Sequence, residues 1–190
     1  TQISRECLNS DGTLNYQRLI SYLAENEDRT QLIVNNIEED RPSIILSDRL
    51  AHLESMVSAL PDTMKKDAVI ISGRMTSKKG KAEREQALED MRSGKKKYLF
   101  ATYALCKEGL DIPRLERLYM ASPVKDYAVV TQAIGRIARK FDGKDDPICY
   151  DFVDDIGYLV RSYKQRCSTY KKNRCYFVET GGVLNEISNL

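Results

Sequence analysis

Five short aliphatic runs that do not alternate apolar with polar residues constrain this chain most: "SIILS" (43–47), "AVIIS" (68–72), "YLFAT" (98–102), "RLYMA" (117–121) and "PICYDF" (147–152). A strand with one wet face alternates; a run without alternation suits a strand covered on both faces. Longer patterned stretches separate the runs. In "RLAHLESMVSAL", Leu50, Leu53, Val57 and Leu60 form one helical stripe that stops at Pro61. Further helices are expected over Lys81–Met91 and Asp126–Lys140. Strand and helix therefore alternate, and the expected architecture is α/β, a parallel sheet flanked by helices.

With 190 residues, the chain is expected to hold one domain with additions at both ends. Residues 1–40 read as a helical lead-in, with apolar patterns Tyr16-Leu19-Ile20-Leu23 and Leu32-Ile33-Ile37 leaning on the sheet. Residues 41–155 form the sheet domain, and 156–190 a C-terminal basic helix and tail. In that helix Ile156, Leu159, Val160, Tyr163, Cys167 and Tyr170 make the apolar stripe. Arg161, Lys164, Arg166, Lys171, Lys172 and Arg174 are expected opposite it, either as a solvated face or as an extension of a nucleic-acid track. The chain begins at Thr1, which fits a processed protein or a fragment of a longer one.

Thirty basic and twenty-eight acidic residues leave a net charge of +2, so any charged partner must be recognised locally. No run of about twenty apolar residues is present, which gives no support to a membrane span. The five cysteines include no C-x-x-C pair, and with His52 as the single histidine no metal site is expected. They read as reduced thiols, and the expected compartment is cytoplasmic or nuclear.

The segment "QAIGRIARK" (132–140) places Gln132, Arg136 and Arg139 on one face if it is helical: at about 100° per residue, Arg136 and Arg139 lie roughly 40° and −20° from Gln132. Val130, Ile134, Ile137 and Ala138 fall on the far side, and Gly135 leaves room beside the arginines. A guanidinium suits phosphate because its planar fork donates paired hydrogen bonds and keeps its charge. Incidental surface arginines are the alternative. In a parallel sheet, ligands collect at the carboxyl ends of the strands. Those ends carry Ser47, Asp48 and Arg49, then Ser72, Gly73 and Arg74, then Thr102 with Gly109, Asp111 and Pro113 beyond it. Each also has a plain reading: Asp48 as a helix cap, Gly73 as a turn, Asp111 as a capped turn before Pro113.

"ATYALCKEGLDIP" (101–113) followed by "QAIGRIARK" resembles motifs V and VI of superfamily 2 helicases. "IILSDRLAHL" (44–53) is similar to their motif IV, and "SGRMTSKKGKAEREQALEDMRSGKKKYLFAT" (72–102) to the segment between motifs IV and V, with Arg84 leading its helix. Gln132 at the head of motif VI and "YDFVDD" (150–155) are closest to the branch with helicases of phages and large DNA viruses and XPB-like translocases. The resemblance covers roughly residues 40–160. It implies a C-terminal RecA-like domain that closes with an N-terminal RecA-like domain of the same parent chain on ATP with Mg2+ and on a nucleic-acid strand. By the same resemblance Arg139 would be the arginine finger, and Arg136 would contact phosphate or the opposing domain. Gln132, Gly109 and Asp111 would order the nucleotide site or hold the finger, while Ser47, Arg49, Gly73, Arg74 and Thr102 would line the strand path. DNA is favoured over RNA, and no membrane partner is expected.

No G-x-x-x-x-G-K-[ST] loop occurs, so ATP is expected to be held mainly by the companion domain and the 190 residues alone to be inactive as an ATPase. Asp151 could mimic a magnesium-binding aspartate, but Asp151, Asp154 and Asp155 read first as an acidic turn capping the last helix. The alternative function is a non-catalytic module that uses the arginine face for a protein or nucleic-acid partner. A dinucleotide-binding oxidoreductase would need a G-x-G-x-x-G turn, which is lacking.

Overall fold

A single sheet of five parallel strands, in the order β2-β3-β1-β4-β5, organises the chain. The strands are β1 (Ser43–Ser47), β2 (Ala68–Ile71), β3 (Tyr98–Thr102), β4 (Arg117–Met120) and β5 (Ile148–Asp151). The fold is that of a computed structural model and is described for residues 5–73, 75–108 and 110–177. Arg74 and Gly109, both singled out from the sequence, lie outside the described residues, as does the tail from residue 178. All five aliphatic runs are strands, and β1 is buried along its whole length.

Eight α-helices are found among the described residues: α1 (Tyr16–Glu25), α2 (Glu27–Asn35), α3 (Leu50–Ala59), α4 (Asp62–Lys65), α5 (Lys78–Ser93), α6 (Tyr103–Lys107), α7 (Tyr127–Ile137) and α8 (Gly157–Lys172). Strand residues send alternate side chains to opposite faces, which explains why the runs are apolar throughout. Ile44, Leu46, Leu99, Ala101, Leu118 and Met120 join Leu88 and Met91 of α5, Val130 and Ile134 of α7, and Tyr163 and Cys167 of α8. Ile45, Tyr98, Phe100 and Tyr119 face the other way, onto Ile33 and Val34 of α2, Leu53 and Met56 of α3, and Met64 of α4. Cys7, Leu19 and Leu23 close a smaller cluster with Ile156 and Leu159.

Helix starts follow local chemistry. Asn15, Asn26, Ser77 and Asp126 each accept a backbone N–H of the first turn, from Arg18, Arg29, Gly80 and Ala128 respectively. Asn26 both ends α1 and caps α2, so the "AENED" stretch is a one-residue joint.

Several expectations need correction. Leu32 is 55% exposed, while Ile33 and Ile37 are buried as expected; α2 also buries Arg29, Thr30 and Val34. Asp48 does not cap α3, whose cap residue is Arg49 with no side-chain bond. Arg166 is not on a solvated face: it is buried and binds Asp151 through two nitrogens. Asp151 and Asp154 are not helix caps either. Asp154 accepts a hydrogen bond from Arg29 Nε at 2.8 Å, and the cap position of α8 is Ile156, which makes no side-chain cap bond.

Candidate functional site

Because the sheet is parallel, every strand delivers its last residue to the same edge. Ser47 and Thr102 are register partners at the ends of β1 and β3, and Gly73 follows the end of β2, exposed. Successive connections leave β1 and its neighbours toward opposite faces, the topology that opens a crevice at strand ends. Of the residues expected along a strand path, Arg49, Gly73 and Thr102 keep some exposure, but Ser47 does not. The Ser47 hydroxyl lies 3.0 Å from His52 Nδ1 and accepts Arg49 N–H at 3.2 Å, so the structure uses it to shape the β1–α3 turn. Arg49 extends to the lead-in, donating from Nη2 to Gln17 Oε1 at 2.6 Å. Asp48 N–H donates to Ser122 Oγ at 2.9 Å, and Tyr103 OH donates to Ser122 O at 2.7 Å, which ties the ends of β1 and β3 to the β4–α7 loop.

The second group is built around the β3–β4 connection, which starts at Thr102 and includes α6 and Asp111. Three arginines from two helices, a fourth from the turn after α7, and a lysine beyond them grip it. Arg84 of α5 pairs with Glu108 at 2.7 Å, and Arg92 Nε donates to Asp111 O at 3.0 Å. Arg136, in the last turn of α7, donates from Nη2 to Cys106 O at 3.0 Å. Arg139 pairs with the Asp111 carboxylate. Lys144 donates to Pro113 O (3.2 Å), Ile137 O (2.6 Å) and Arg139 O (2.8 Å), so its ammonium stops α7 and ties that end to the connection.

That stop corrects the expected helix over Asp126–Lys140. The helix ends at Ile137, and Arg139 projects from the turn after it rather than from its face. Ala138, expected to be buried, is exposed there. Arg136 and Arg139 are nevertheless brought together on one loop. Gln132 and Gly135 are exposed on α7, and a Cβ at Gly135 would meet nothing within 4 Å.

Burial sets the electrostatics. The Arg136 Nε is buried with no hydrogen-bond partner, an unsatisfied donor on a permanently charged group. Its neighbour Cys106 is fully buried; burial pushes its thiol up to about 11, against the opposing effect of Arg136, so the thiol is neutral and not a nucleophile. Lys144 is pushed down by burial, with Glu116 opposing.

Sequence reasoning missed Lys144, Arg29, Ser122 and the cation–π sandwich in which Lys125 Nζ lies 4.3 Å and 4.5 Å from the ring centroids of Tyr16 and Tyr158. A basic residue beside a turn glycine, as in "FDGK", is a usable signal for Lys144; the others depend on distant segments meeting.

A five-stranded parallel sheet with this order and helices on both faces is the RecA-like α/β class. The chain belongs to the helicase conserved C-terminal domain family, whose model matches residues 23–141. It is 28% identical over 170 residues to protein 161L of Invertebrate iridescent virus 6, named as a helicase, covering 86% of this chain and 38% of that protein. It is 27% identical over 130 residues to protein D10 of Escherichia phage T5, also named as a helicase, covering 68% of this chain and 28% of that protein. The fold is shared with T4 UvsW at a TM-score of 0.65 and 18% identity, covering 86% of this chain and 36% of that one. The chain thus spans less than two-fifths of the length of these relatives, and it is a helicase C-terminal domain with the RecA-like fold.

Proposed function

We propose that this domain is the half of an ATP-driven, DNA-directed helicase or translocase that presents Arg139 and Arg136 to a nucleotide held by a companion RecA-like domain of the parent chain. The observation that carries the reading is the grip on the β3–β4 connection: Arg136 and Arg139 are anchored on the segment that begins at Thr102, next to Ser47 in the sheet. A shift of that segment therefore moves the arginines and the strand-end residues as one piece.

The residues present fit a polyphosphate. Arg136 carries a buried donor without a protein partner, and Arg139 is 36% exposed and held by a carboxylate that orients it. Bound ATP with Mg2+ supplies the phosphoryl group to be transferred. Arg139 is the finger that stabilises charge developing on that group, Arg136 binds phosphate or the opposing domain, and Asp111 holds Arg139 in place. Gln132 and Gly109 complete the nucleotide side. On the strand side Arg49, Arg74, Gly73 and Thr102 contact phosphates, with Ser47 fixing the turn that carries Arg49. The likeness of the motif set to helicases of phages and large DNA viruses supports DNA over RNA.

Assay of ATP hydrolysis by the full parent chain, with and without single-stranded DNA, tests this. Turnover stimulated by the strand is expected. Absence of turnover in both conditions, with the strand still bound, would instead support a non-catalytic module.

A further inference from the structure

Beyond residue 141, outside the span that defines the family, α8 carries a cationic surface that the reading above does not use. The helix buries Leu159, Ser162, Tyr163, Arg166, Cys167, Thr169 and Tyr170. Its exposed residues include Arg161, Lys164, Gln165, Ser168, Lys171 and Lys172, which fall within an arc of roughly 120° centred on Ser168 at about 100° per residue. No acidic residue occurs anywhere on the helix.

On α5, where acidic residues are interspersed, three cations have carboxylate partners: Lys79 with Glu83, Arg84 with Glu108, Arg92 with Glu85 and Glu89. On α8, Arg161 and Lys164 make no ion pair among the described residues, nor does Arg174 just past its end. Like charges set along one face repel, so an anion laid along the stripe relieves that repulsion. From Arg161 to Lys172 it runs about 16 Å.

Aromatic surface borders its far end. Tyr127, at the start of α7, is 50% exposed with the Lys172 ammonium 5.5 Å from its ring centroid, and Tyr176 is 94% exposed. The Tyr127 ring thus holds the Lys172 ammonium at the end of the stripe. A duplex is the polyanion that offers such a stripe the densest line of phosphates, about one charge per 1.7 Å of its axis on a stiff rod.

We propose that the exposed face of α8, with Arg161, Lys164 and Lys172 as its contacts, is a second nucleic-acid surface that holds the phosphate backbone of duplex DNA, separate from the single-strand path at the strand ends. This shares with the proposed function only the premise that the partner is nucleic acid.

The test is fluorescence anisotropy of the 190-residue chain with a labelled 20-base-pair duplex and, separately, a labelled 20-nucleotide single strand, each over a series of salt concentrations. For Arg161→Glu with Lys164→Glu, duplex affinity is expected to fall about tenfold or more, and the log–log salt slope to shrink by about two, near 0.9 per lost phosphate contact. Single-strand affinity should hold. Arg49→Ala should do the reverse, weakening the single strand and sparing the duplex, so the two surfaces fail independently. The neutral pair Arg161→Gln and Lys164→Gln, with a circular dichroism check, separates lost contacts from lost fold. Unchanged duplex affinity and slope in both double variants would overturn the assignment. So would a loss confined to the single strand, or displacement of the duplex by poly-glutamate at equal charge, which would mark an acidic protein as the partner.

Discussion

The guanidinium of Arg166 meets both carboxylate oxygens of Asp151, Nε at 2.8 Å from Oδ2 and Nη2 at 2.9 Å from Oδ1, while Nη1 donates to Val124 O at 3.0 Å. One side chain of α8 thereby joins the end of β5 to the loop that launches α7. The pair is 5% and 11% exposed. Removing one member leaves the other charged and buried, which costs about 3–5 kcal/mol in comparable pairs. Arg166→Met is therefore expected to lower the urea midpoint of the chain strongly, and Arg166→Met with Asp151→Leu to recover part of the loss. Equal midpoints for the wild type and the single variant would deny the pair this role.

His52 supplies a pH dependence that can be assigned without ambiguity, since it is the single histidine of the chain. It is 1% exposed, its Nε2 has no partner, and burial, reinforced by Arg29, lowers its pKa from 6.5 to about 4. The unfolded chain thus binds more protons than the folded one between those values, and stability rises with pH across that window. The full effect is on the order of 3 kcal/mol. Glu38, lowered first by the Arg117 hydrogen bond, adds a loss of the same sign only under more acidic conditions. Urea unfolding at pH 7 and pH 5 should show the loss, and His52→Gln should flatten it. A His52→Gln profile as steep as the wild type would place the titration elsewhere.

Gly94 ends α5 at φ +82°, the left-handed region that costs an L side chain roughly 1–2 kcal/mol. A Cβ there would also meet the guanidinium of Arg114, the far end of a flexible side chain that must swing aside. Gly94→Ala is expected to lower stability by about 2 kcal/mol, read as a drop in melting temperature, while Gly135→Ala, with open space around it, loses no packing. Equal melting temperatures for Gly94→Ala and the wild type would contradict the backbone strain expected at this position.

The sheet was legible because burial on both faces leaves a one-dimensional trace: Ile44 and Ile45 belong to different cores, yet both must be apolar. The motif residues could be placed on strand ends for the same reason. Arg166 was misread because it was grouped by charge. Its angle on the helix, among Leu159, Tyr163 and Tyr170, already put it on the buried side. The end of α7 was not legible, since it depends on Lys144 folding back onto Ile137 O and Arg139 O. Ser47 looked available because its neighbours Asp48 and Arg49 are polar, whereas the hydroxyl is consumed by His52.

Arg139 and the Asp111 carboxylate that orients it carry the central claim. Its most direct test is Arg139→Ala in the full parent chain, with ATP hydrolysis measured at saturating single-stranded DNA and nucleotide affinity measured in parallel. Turnover is expected to fall by roughly 10³ to 10⁵, with ATP affinity changed by about threefold or less, because the lost contact acts on charge that develops during transfer. Turnover within about tenfold of the wild type would contradict the assignment of Arg139 as the finger.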